Sequence, residues 1–195
     1  MSLFESYRKK KEEKNQYQSL RNSVIYSGIA FDTYVLNNTS LYPSSLFVTT
    51  DRDQVSVFGK TEACLDACLY YIATVEKQGP ATSTLNERIG QVTQKIILGI
   101  NEQFRLVPLD AMRDFIDSSL IWFAKAMSNL SKFYSGIMNQ DSNTEYRDAL
   151  AASVALTIMN QLDIEATQQR SGEMKKNLMP FIDAAIAFAP VLIRE

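Results

Sequence analysis

The chain contains no histidine. That absence removes the side chain that titrates near neutral pH, the usual general base, and the commonest ligand of zinc and iron. Ser-His-Asp and Cys-His catalysis are therefore excluded within one chain. A bundle-core di-iron centre of the Glu-x-x-His type is excluded with them. Two cysteines, Cys64 and Cys68, cannot complete a structural zinc site without histidine. Standing four apart on a predicted helix, they share a face but are awkwardly placed for a disulfide. They read as small, buried, reduced residues, which points to a cytoplasm, that of a cell or of the host in which a virion assembles. No cofactor and no metal site is expected.

Proline and glycine are also scarce, at five and seven residues of 195, which suits long helices. No apolar run is long enough to span a bilayer; the longest, Ala184 to Ile193, falls well short. The first residues run into Arg8-Lys9-Lys10-Lys11-Glu12-Glu13-Lys14 with no apolar segment of the secretory kind behind them. A formal charge of −2 and a pI near 5.3 give no global attraction to nucleic acid or acidic lipid, so such binding would need a local patch.

What is present is helical periodicity. From Pro108 to Met138 one stripe of apolar residues runs Leu109, Met112, Ile116, Leu120, Phe123, Met127, Leu130, Tyr134 and Ile137. A second set, Phe115, Trp122, Phe133 and Met138, lies off that stripe. A helix apolar around most of its girth is expected to be surrounded, so this segment reads as the central post of a bundle. Residues 3–36 read as a helix with a charged first half and a more apolar second half, weakened at Gly28. Phe47-Val48-Thr49-Thr50 and Val55-Ser56-Val57-Phe58 read as two short strands around a polar turn.

Thr61 to Gln78 is predicted helical and stopped by Gly79-Pro80. Thr84-Leu85-Asn86-Glu87 has the capping-box pattern and opens a helix to about Phe104. Thr144 to about Arg170 follows, with Leu150, Val154, Ile158 and Leu162 in one row and small alanines beside them; Ser171-Gly172 is expected to break it. Glu173 to Ile193 comes last, with disturbances expected at Pro180 and Pro190. The expected fold is all-α, an antiparallel bundle of about six helices with one minor β-hairpin near residues 46–58. Residues 1–22 form a charged helical arm and residues 23–195 a single bundle domain.

Candidate chemistry is sparse. Gly59-Lys60-Thr61 follows a predicted strand, as a phosphate-binding loop would, but Gln54 stands where the first glycine is needed; an ordinary helix start is the better reading. Glu62 with Asp66, and Asp110 with Asp114 and Asp117, fall on single helix faces. Such carboxylates can bind Mg²⁺ or share a proton, and more commonly form a solvated face near a helix start. Arg8, Lys9, Lys10, Lys11 and Lys14 could contact phosphates or an acidic partner. The interleaved Glu12 and Glu13 favour a solvated helix or an inter-subunit seam. Near the other end Phe181, Ile182, Ile186, Phe188, Val191 and Leu192 offer an apolar surface that either packs in the core or docks on another chain.

These features point to a non-enzymatic structural or assembly protein acting through protein–protein contacts, as a homo-oligomer or a subunit of a larger complex. A virus or phage structural component would be one form of it. Two alternatives are a small helical subunit contacting nucleic acid through its basic segment, and a ligand-binding or enzymatic bundle using carboxylates.

Overall fold

A computed structural model describes residues 3–38, 51–77, 79–105 and 112–193; within these, the side chains at 3–4, 51–54, 76 and 112–118 are left aside. The described residues form six α-helices: α1 (Leu3–Asn37), α2 (Asp51–Tyr71), α3 (Ser83–Phe104), α4 (Met112–Gln140), α5 (Tyr146–Gln161) and α6 (Gln168–Leu192). A single π turn, Ile72–Glu76, extends α2. No helix among the described residues is long and apolar enough to cross a membrane.

The bundle has a central post, but it is α2. This helix packs against every other one, and around it α3, α1, α6, α5 and α4 form an arc in which each touches the next. The reason lies in its side chains. Phe58, Leu65, Cys68, Leu69 and Ile72 are buried, and so are Ala63, Cys64 and Ala67 between them, so the helix is apolar on nearly every side. Small residues beside large ones let several neighbours approach at once. The longer stripe of α4 is misleading by comparison. Ala126 and Leu130 are buried and Trp122 and Phe123 half-buried, whereas Leu120 and Ile121 are 66% and 73% exposed. The post predicted at 108–138 is therefore an outer helix. Leu109 lies outside the described residues, and nothing is said of the side chains of Met112, Phe115 and Ile116.

The β-hairpin is corrected as well. Its second strand, Val55–Phe58, lies inside α2, and its first, 47–50, falls outside the described residues. β-branched residues have only a weak preference against helix, which tertiary packing overrides. Here Phe58, Thr61, Leu65, Cys68, Leu69 and Ile72 recur at helical spacing on buried positions. Thr61 settles its hydroxyl by donating to the Val57 carbonyl one turn back, at 2.9 Å.

Two boundaries shift for identifiable reasons. The α3 cap is Thr82, whose Oγ1 accepts from the Leu85 amide at 3.1 Å, so the capping residue stands two positions before the one predicted. The fifth helix ends at Gln161. Asp163 adopts φ 54°, and the Ile164 amide reaches back to the Met159 carbonyl at 2.8 Å, closing a Schellman turn with aspartate where glycine is usual. The sixth helix is then capped by Thr167 Oγ1 on the Arg170 amide and runs without a break through Ser171, Gly172, Pro180 and Pro190.

Two glycines set the α1–α3 contact. A Cβ on Gly28 would lie 2.6 Å from Ile96 Cδ1, and one on Gly99 would lie 2.4 Å from Ile29 Cδ1. Each helix thus offers a notch that takes an isoleucine of the other. Gly28 weakens the helix but admits its neighbour.

Candidate functional site

Two features of this bundle do not follow from packing alone. The first is the basic half of α1. Every residue from Tyr7 to Gln16 is exposed, so about 15 Å of helix stands clear of the core. Docking begins at Tyr17, whose ring meets Phe188 of α6 at 5.4 Å between centroids, and Val24 is the first fully buried residue of the helix. Arg8, Lys9, Lys10, Lys11 and Lys14 all lie on this projecting stretch. Arg8 and Glu12 approach to 3.6 Å with both side chains mostly in solvent, a contact worth little. The six basic residues of positions 1–22 outnumber three acidic ones, whereas residues 23–195 carry fourteen basic and nineteen acidic. The chain is therefore polarised, with a cationic arm on an anionic bundle.

The root of the arm borders an open groove lined by Lys14 and Tyr17 of α1, Thr84, Arg88 and Gln91 of α3, and Val191 of α6. Arg88 donates to the Leu192 carbonyl at 2.8 Å and so steadies the C-terminal end of α6.

The second feature is a group of carboxyls inside the core. Glu62 of α2 is 3% exposed and Asp32 of α1 is 1% exposed. Neither carboxyl receives a hydrogen bond from an N–H or a hydroxyl of the described residues. Asp66, one turn along α2 and half-buried, accepts from Thr93 Oγ1 of α3. Burial pushes Asp32 up to about 8 and Asp66 up to about 7, and raises Glu62 well above the usual carboxylate range, with the neighbouring carboxyls adding to the effect on Glu62. Glu62 and Asp66 are thus neither a solvated face nor close to a helix start, contrary to the sequence reading. Among the described residues no group of three or more acidic or sulfur ligands is placed to hold a metal ion.

The other candidates resolve simply. Gly59-Lys60-Thr61 lies in the middle of α2, away from any helix start, and Gly59 is buried. The side chains of Asp110, Asp114 and Asp117 lie outside the described residues. Phe181, Ile182, Phe188 and Leu192 are buried inside the chain itself, while Ile186 and Val191 keep partial exposure. The apolar character of this segment is spent on its own core. Cys64 and Cys68 are free and buried, and burial raises both thiols, which makes them poor nucleophiles. Helices α5 and α6 are tied at their surface by Arg147 with Asp183 and by Lys175 with Asp148.

Sequence reasoning missed Asp32 and Thr93. The signal was available in part: Asp32 is the one charged residue between Arg21 and Asp51, in the apolar half of α1. Only the three-dimensional placement of α1 on α2 brings it against Glu62. The chain matches no family model, no curated protein and no solved structure.

Proposed function

We propose that this protein is a non-enzymatic assembly subunit, and that the projecting half of α1 is the arm by which one copy docks on another. The observation that carries this reading is ten consecutive residues of helix, Tyr7 to Gln16, exposed on all sides. An isolated helix of that length is marginal in water. This one is propagated from a docked second half, which holds it ready for a partner. The charge division favours a second copy as the occupant, because the arm carries a positive excess and the rest of the chain a negative one. Opposite potentials steer such an encounter and fix its orientation.

The test is a variant lacking residues 1–16, compared with the full chain by light scattering across concentration. Self-association in the full chain, lost in the shortened one with its helical spectrum intact, supports the arm. A full chain that stays monomeric while binding duplex DNA or heparin with a steep salt dependence transfers the arm to nucleic acid and overturns self-association.

A further inference from the structure

We propose that Asp32 and Glu62 share a proton across the α1–α2 interface, and that this pair makes the seating of α1 on α2 weaken as pH rises. Ionised carboxylates only accept hydrogen bonds. Both groups are buried, and all four of their oxygens lack a donor among the described residues. Among the described residues, the polar group within hydrogen-bonding reach of each is the other carboxyl. Two ionised carboxylates cannot satisfy one another, whereas a carboxylic acid donating to a carboxylate can. At least one proton therefore belongs to the pair in the folded state.

Among the described residues, the surroundings offer no substitute for that proton. On α2 the nearby titratable groups are Asp66, Cys64 and Cys68, which bring acidity and no cation. Lys60, on the same helix, is only half-buried. From α3 comes the neutral Thr93, engaged with Asp66, while Lys95 is exposed and Arg88 is turned to Leu192. On α1, Arg21 donates to the Gln91 carbonyl and Tyr34 faces Glu173 and Asn177 of α6. On α5 and α6 the charges pair with one another at the surface, Arg147 with Asp183 and Lys175 with Asp148. Among the described residues of α4, Lys125 and Lys132 are exposed.

The direction of the pH effect follows. Asp32 is held at about 8 in the folded chain against an ordinary 3.8, and Glu62 is raised in the same sense. Between those limits the folded state binds more protons than the unfolded one. The stabilising contribution is complete below about pH 4 and is lost as pH rises through about 8. Because the chain has no histidine, few other groups change charge across this window. Asp66, held at about 7, acts in the same direction.

Amide hydrogen exchange of the full-length protein from pH 5 to 9, corrected for intrinsic rates, reads the effect at α1 directly. The opening equilibrium of amides 24–36 should rise with pH, by up to about tenfold per unit for one such group. Asp32→Asn and Glu62→Gln should each flatten that profile and raise the melting temperature at pH 9 relative to the parent. A parent profile already flat overturns the proposal, whether or not a variant folds. Variants that melt below the parent by the same margin at pH 5 and pH 9 also overturn it, since the role is then packing alone. So does MgCl₂ or CaCl₂ that raises the parent's melting temperature at pH 9 but not that of Asp32→Asn, because a cation then occupies the place given to the proton.

Discussion

Residue by residue, the core draws its stability from side chains with no exposed surface, and the aromatic residues divide sharply. Phe181 is fully buried in α6, whereas Trp122, on α4, is half-buried. Phe181→Ala should cost about 3–5 kcal/mol, the range for emptying a packed aromatic site. Trp122→Ala should cost about 1–2 kcal/mol, as partly exposed positions do. Urea unfolding followed by circular dichroism measures both, since the single tryptophan is itself one of the positions changed. Equal losses would return the central role to α4. The two cysteines give a second test at this scale. Buried thiols whose protons are held tightly react only when the protein opens. Modification by a disulfide reagent at pH 8 should therefore follow the unfolding equilibrium as denaturant is raised. Fast labelling in the native protein would mean that the seat of α2 is open.

At the level of the helices, their approximate number and the helical class were legible from periodicity alone, and so was the row Leu150, Val154 and Ile158 that buries α5. The identity of the central helix was not. Hydrophobic stripes report how much of a helix is covered, but α2 earns its place through Ala63, Cys64 and Ala67, residues too small to weigh in such a count. Strand propensity at Val55 and Val57 misled for a related reason, because it measures a local preference that a complete helical register outweighs. The buried carboxyls were half legible: Glu62 and Asp66 share a helix face, but their partner lies thirty residues away in sequence on α1. The π turn after α2 left no sequence signal except Gly79. Its amide bonds the Ala73 carbonyl at 2.9 Å, and an added Cβ would stand 2.7 Å from that same oxygen. The obstacle is backbone and cannot swing aside. Gly79→Ala should destabilise by about 1–3 kcal/mol, as overpacking does. An unchanged melting temperature would mean that the turn is not held at this contact.

For the molecule as a whole, a bundle that buries most of its large apolar side chains is set apart from an exposed helical stretch, Tyr7 to Gln16, that stands clear of its core. Most of the apolar segment near residues 181–192 is committed to the core, so the association proposed for the arm rests on charge. Even with a proton retained by the carboxyl pair, acidic residues outnumber basic ones in positions 23–195, so the charge contrast on which the proposed association rests persists. An association of that kind is screened by salt, because exposed charges lose most of their interaction beyond about 10 Å at ionic strengths near 0.1 M. The most direct test is sedimentation equilibrium of the full-length protein at about 0.05 M and about 0.5 M salt over a wide concentration range. The account predicts a mass that rises above the monomer with concentration at low salt and falls back toward it at high salt. A monomer at every concentration in low salt, or an oligomer equally stable at both ionic strengths, would contradict it.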